Sequence, residues 1–247
     1  MSPTTLAFGT EPARHKYRLR LSRYQGLAEA LAAHVRAPRP GGSPVVELLD
    51  VGVGNGRTLR YCEAAGVADR MAFHGVDNSP RRLSSVYGGA RWTLTQADVQ
   101  AGLPYPDGRF GAVVCEQLLE HVPDPEAVAR EMVRVLAPGG LLVVGVPIFR
   151  PALAFLRRTV VPRIDRLFDI RRDHVQVFTR GSICRLLGRV GGLTVRDVRG
   201  FRVASGGPFR FLENFHLWYR FHRFLGRHLP GWCIEVQVLA TKQAATA

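Results

Sequence analysis

Leu48-Leu49-Asp50-Val51-Gly52-Val53-Gly54-Asn55-Gly56-Arg57 is the stretch whose reading decides the fold of this 247-residue chain. It closes a largely apolar run over residues 45–51, the pattern of a parallel strand covered on both faces. Three glycines follow, which let the backbone turn tightly and approach a ligand closely. A helix is predicted over residues 57–65. Many nucleotide-binding folds share GxGxG. The dinucleotide version places a third glycine where Arg57 stands, and an arginine there obstructs the helix–strand packing that glycine permits.

Outward from that turn, strand and helix patterns alternate. Residues 72–76 predict a second strand ending at Asp77 and Asn78, with Ser79 capping a short helix that has Pro80 at its first position. A third strand over 91–95 leads to Asp98 and Val99, and a fourth over 111–115 leads to a helix over 125–136. Pro138-Gly139-Gly140 stops that helix, and 141–146 forms a fifth strand. The alternation then breaks. Thr179 caps a helix to about residue 190, a sixth strand covers 193–198, and 233–240 alternates like an antiparallel last strand. The expected fold is α/β: a Rossmann-like, doubly wound seven-stranded sheet, mostly parallel with the last strand antiparallel. The chain reads as one domain, 1–247. Residues 1–44 supply an amphipathic helix (12–35) and a linker, 45–148 a cofactor-binding half, and 149–172 and 203–231 helical cap insertions.

Each strand-end carboxylate has two readings. Asp77 either accepts the hydroxyls of a ribose or merely caps a turn. Carboxylates suit a cationic ligand, whereas a phosphate site calls for lysine, arginine and bare helix N-termini. Three further stretches separate the readings: Gln96-Ala97-Asp98-Val99, then Glu116-Gln117-Leu118-Leu119-Glu120-His121-Val122-Pro123-Asp124-Pro125, then Leu136-Ala137-Pro138-Gly139-Gly140-Leu141. Jointly they resemble the class I S-adenosylmethionine-dependent methyltransferases, nearest in motif to the quinone-biosynthesis group. The resemblance covers residues 45–148 and, more loosely, 173–200. It implies S-adenosylmethionine as cofactor. Asp50, Gly52, Gly54 and Gly56 would surround its amino-acid part, and Asp77 with Asn78 its ribose. Asp98 and Val99 would hold its adenine, and Glu116 and Gln117 would line the floor beneath the sulfonium.

Methyl transfer to a hydroxyl needs a base as well as alignment. His121 and His174 are the candidates. His121 reads more readily as a structural residue opening a helix than as a base, and His174 reads equally as packing ahead of the Thr179 cap. His216 and His222 read as surface or cap residues. In the ubiquinone O-methyltransferases the corresponding segment has Glu-x-x-Glu-His, associated with a divalent metal. Here the first position is Gln117, and an amide binds Mg²⁺ poorly, so no metal is expected.

Charge bears on the partner. Net charge is +14, and residues 151–247 carry 17 Lys and Arg against 6 Asp and Glu. That asymmetry points to an anionic partner: a membrane surface, a nucleic acid or an anionic substrate. Only Lys16 and Lys242 are lysines, so part of it is compositional style. The insertions interleave arginines with apolar residues such as Phe211, Phe215, Trp218 and Leu225, which read as interfacial helices or as faces packed on the core. A base-amine methylase would carry Asn/Asp-Pro-Pro-aromatic where this chain has Glu116-Gln117-Leu118-Leu119, which argues against a nucleic-acid substrate. Intact Asp50, Asp77 and Asp98 argue against a non-catalytic binding module. The expected acceptor is small and lipophilic or lipid-linked, methylated on oxygen. Four separated cysteines and no secretory pattern give a cytoplasmic expectation, peripheral at the inner face of the membrane.

Overall fold

The computed structural model describes residues 19–38, 45–150, 175–203, 211–213 and 215–244. Seven strands form one sheet: β1 (Val46–Val51), β2 (Met71–Asp77), β3 (Trp92–Gln96), β4 (Phe110–Glu116), β5 (Leu136–Pro147), β6 (Leu193–Phe201) and β7 (Glu235–Lys242). Their order is β3-β2-β1-β4-β5-β7-β6. β3, β2, β1, β4 and β5 pair in parallel, while β7 runs antiparallel between β5 and β6. The chain reverses its direction of winding between β3 and β4. The crevice at the carboxyl ends of β1 and β4 is therefore where a ligand site is expected.

Helices cover both faces. α1 (Ser22–Arg36) and α2 (Arg57–Ala64) bury Leu27, Leu31, Leu59 and Cys62 against Leu48, Phe73 and Val114. On the other face α4 (Pro125–Val135) and α5 (Arg180–Val190) bury Val128, Met132, Ile183 and Leu187 against Leu49, Val113, Cys115 and Leu142. Adjacent strand residues thus serve opposite cores, which is why β1, β4 and β5 are apolar at nearly every position. Ser79 caps the short α3 (Pro80–Leu83), and Thr179 forms a capping box with Ser182 at the start of α5. A last helix, α6 (His216–His228), packs on β6.

Several boundaries depart from expectation, among them the end of β6, which runs past residue 198 to Phe201. β5 begins at Leu136 rather than 141, because Leu136 pairs with Phe110 before the ladder shifts and resumes at Ala112 and Leu141. Pro138-Gly139-Gly140 thus forms a bulge inside the strand, with Gly139 at φ +74°. β7 starts two residues later than the alternation suggested, at Glu235. Residues 12–18 of the expected first helix, and most of 149–172, lie outside the described residues.

Candidate active site

A cavity of about 520 Å³ opens at the carboxyl ends of β1, β2, β3 and β4. Gly52, Asp77, Asn78, Asp98, Val99, Gln117 and His121 line it, together with Arg82, Leu118 and Val122. Seven residues singled out in the sequence therefore share one cleft of the size that holds small-molecule cofactors.

Gly52, at φ +77°, donates its N–H to the Val76 carbonyl at 2.8 Å and so ties the turn to β2. A side chain there would be strained by the backbone and would crowd Leu118. Asp77 is buried. Its Oδ2 accepts from the Gly54 N–H at 3.3 Å and its Oδ1 from the Ser79 N–H at 2.9 Å, with the Arg82 guanidinium 3.7 Å away. Each carboxylate oxygen keeps a second lone pair, so Asp77 is both fixed and able to accept a pair of hydroxyls. Asp98 accepts from the Gln100 N–H at 3.0 Å and is exposed at the opposite end of the cavity. Gln117 adopts φ +56°, and its Nε2 is buried on the cavity wall with no hydrogen-bond partner in the described structure. An orphaned donor in such a place calls for a ligand acceptor.

Asp50, Gly54, Gly56 and Glu116 are not on the cavity wall. Gly54 acts through its N–H to Asp77. Gly56 is a packing glycine, since a Cβ there would overlap Val86 and the Tyr87 backbone. Asp50 lies beneath the turn and accepts from the Thr58 hydroxyl at 2.6 Å. Burial pushes its pKa up to about 7, against the opposing pull of that hydrogen bond. Glu116 points to the α1 face, where its Oε1 accepts from Gln237 Nε2 at 2.7 Å and Oε2 lies 3.4 Å from Arg23. Gly145 on β5 makes room for it, since any side chain there would overlap the carboxylate. Burial raises Glu116 to about 8, with Arg23 and Gln237 opposing the rise.

Glu116 belongs to a network that sequence reading missed. Arg23 of α1 also donates to Glu235 at 3.0 Å, and Arg202 donates to both Glu235 oxygens at 2.9 and 3.2 Å. Arg23 and Glu235 are 212 positions apart. No local motif signals such a pair; only the basic character of the first helix hinted at it.

His121 is half exposed on the cavity rim, with Nε2 3.9 Å from Oε1 of the buried Glu120. Burial pushes the Glu120 carboxyl up to about 7. Its backbone carbonyl accepts from Val175 and Gln176 N–H groups at 2.8 and 2.9 Å, clamping the chain after the first insertion onto this segment. His174 lies outside the described residues. His222, expected at the surface, is buried under α6, where Nδ1 lies 3.0 Å from the Trp218 carbonyl.

A family model described as a methyltransferase domain matches residues 49–144, from the end of β1 through most of β5. The chain is 30% identical over 166 residues to a ubiquinone biosynthesis O-methyltransferase of Xanthomonas axonopodis pv. citri, covering 65% of this chain and 66% of that protein, just under two thirds. Residues 49–144 thus match a methyltransferase domain. The chain is also 33% identical over 138 residues to a demethylmenaquinone methyltransferase of Tropheryma whipplei, half of this chain and 53% of the relative. Its fold matches a geranyl diphosphate methyltransferase solved with geranyl diphosphate and sinefungin, at TM-score 0.57 and 19% identity, over 90% of this chain and 79% of that one.

S-adenosylmethionine is the cofactor, and the residues present fit it. The cleft offers two strand-end carboxylates, an orphaned amide donor and a glycine turn, the donor set for a nucleoside carrying a cationic amino acid rather than for a phosphate.

Proposed function

We propose that the enzyme transfers a methyl group from S-adenosylmethionine to an oxygen of a small, lipophilic or lipid-linked acceptor. The observation that carries this reading is the single cleft uniting Gly52, Asp77, Asp98, Gln117 and His121. The quinone-directed names of the relatives supply the acceptor class. In this reading Asp77 and Asn78 hold the ribose, Asp98 and Val99 the adenine, and the glycine turn with Gln117 the amino-acid end. Asp50 and Glu116 act from behind, fixing the turn and the end of β4.

The bound cofactor supplies an electrophilic methyl group on a good leaving group. What remains for the protein is alignment, exclusion of water and removal of one proton. Alignment alone supplies roughly 7–11 kcal/mol in well-oriented reactions. His121 is the proposed base. It takes the acceptor's hydroxyl proton as the oxygen attacks, and the Glu120 carboxylate beside it favours the resulting imidazolium. His174, five positions before the Thr179 cap, is the alternative base. The acceptor side would be roofed by residues 149–172 and 203–231. Such an acceptor resides in lipid, so the enzyme is read as peripheral at the inner face of a membrane. Among the described residues no helix is long and apolar enough to cross one.

The test is mass spectrometry of lipid and small-molecule extracts incubated with the enzyme and methyl-labelled cofactor. Label in a lipophilic phenol or hydroxyl, reduced about 10²–10⁴-fold in His121→Ala, is the expected result. Label in RNA alone would overturn the reading.

A further inference from the structure

α6 is built the wrong way round for a helix packed on a core. The residues it buries are Tyr219, His222 and Gly226, spaced i, i+3, i+7. Gly226 sits so close to β6 that a Cβ would fall on the Gly200 carbonyl. The opposite face carries Leu217, Phe221 and Phe224, spaced i, i+4, i+7, and these are 78%, 45% and 59% exposed. An ordinary surface helix turns its apolar stripe inward. Here that stripe faces solvent.

The patch continues past the helix. Phe215 before it, Leu229 and Trp232 after it, and Ile234 at the start of the return to β7 are exposed large apolar residues. The Ile234 carbonyl accepts from the Ile148 N–H at 2.8 Å, which places this end of the patch at the carboxyl end of β5, on the same edge of the sheet as the cofactor cleft. Arg150 lies 4.5 Å over the Trp232 ring. Contiguous exposed apolar surface of this kind marks an interaction site.

Charge selects the occupant. His216–His228 contains no acidic residue. Arg223 is committed to Glu29 at 2.6 Å and Arg199 to Asp197 at 2.7 Å. Arg220 and Arg227, which flank the apolar stripe on one side, are exposed and have no ion-pair partner among the described residues. Apolar side chains outward, cationic side chains along their border and an aromatic ring beside an arginine form the pattern of a helix lying in a lipid headgroup layer.

We propose that the outer face of α6, with Trp232, docks the enzyme on an anionic bilayer and so holds the mouth of the cleft against the lipid phase. The purpose rests on the lipophilic-acceptor reading above; the surface itself does not. Co-sedimentation with vesicles of phosphatidylcholine alone, and of phosphatidylcholine mixed with phosphatidylglycerol, tests it. The full-length protein is expected to bind the mixed vesicles at least about tenfold more tightly, with binding weakened by salt. Leu217→Ser/Phe221→Ser/Phe224→Ser is expected to lower binding at least about tenfold. Arg220→Gln/Arg227→Gln is expected to lower it about fivefold per arginine, on anionic vesicles only. Circular dichroism and cofactor affinity should be unchanged in both variants, since neither touches the cleft. Failure of the methyl-transfer reading would leave these vesicle results standing. Absence of wild-type binding, equal binding to both compositions, or full binding by the triple variant would overturn the proposal. So would a wild-type dimer that the triple variant abolishes without any vesicle binding, which would assign the face to a second copy.

Discussion

The carboxyl edge of the sheet has two halves, held together in different ways. On the β1–β3 side the site is made of short-range contacts. Asp77 is fixed by the N–H groups of Gly54 and Ser79, 23 and 2 positions away, and Asp98 by that of Gln100. On the β5–β7 side the same edge is held by buried ion pairs between distant parts of the chain, Arg23 with Glu235 and Glu116, and Arg202 with Glu235. The first half is a local motif that many sequences can carry. The second is a tertiary device that ties the N-terminal helix to the last strand. The two halves should therefore answer differently to mutation.

The largest effect is expected on the long-range side. Arg23→Ala strips a partner from two buried carboxylates, and breaking a buried pair this way costs about 3–5 kcal/mol, at the lower end here because Glu235 keeps Arg202. Urea unfolding should show that loss, while the folded fraction binds cofactor normally. A loss below about 1 kcal/mol would mean that the network is dispensable. On the short-range side Asp77→Ala should do the reverse. Calorimetry should show cofactor affinity reduced by about 1.5–3 kcal/mol, the scale of hydrogen bonds to a charged group, with the fold intact. Unfolding of that variant would make Asp77 a structural residue and erase the distinction.

The pH dependence of stability sharpens the comparison further. Burial raises Glu116 to about 8, well above its unfolded value, so the native state holds the extra proton. A raised carboxyl contributes fully to stability only below its unfolded pKa, and that contribution is lost as pH rises toward and through its native pKa. The melting temperature should therefore climb between pH 8.5 and 6.5, by the equivalent of on the order of 1 kcal/mol. Below that window His74, whose pKa is lowered by burial, acts in the opposite sense. Glu116→Gln should reduce the slope, leaving the part near pH 7 that Asp50 and Glu120, both raised by burial to about 7, contribute in the same sense; an unchanged slope would place the titration elsewhere. The smallest effect is expected at a local cap away from the cleft. Thr179→Ala removes the acceptor for the Ser182 N–H and should cost about 1 kcal/mol in stability without changing cofactor affinity.

The same contrast explains what could be read in the sequence. The seven strands, the antiparallel β7 and seven wall residues of the cleft were legible because glycine turns, caps and strand-end carboxylates are written within a few residues of each other. Gly56 and Asp50 were legible as motif positions but not in their roles, since packing against Tyr87 and the bond to Thr58 depend on how the turn sits on its neighbours. Glu116 was assigned to the cofactor floor, yet it faces α1, because alternation along β4 sends it to the side opposite Cys115. The network around it was invisible, as pairs 121 and 212 positions apart leave no local trace. α6 was legible only in part. Its apolar periodicity was evident, but only the close contact of Gly226 with Gly200 decides which face turns inward.

One measurement bears most directly on the cofactor half, from which the functional reading grows. Titration calorimetry of S-adenosylmethionine, S-adenosylhomocysteine and NAD into the wild-type protein and Asp77→Ala should show one-to-one binding of the first two to the wild type, strongly weakened in the variant, and no binding of NAD. Binding of NAD with no affinity for either methionine nucleoside would contradict the account.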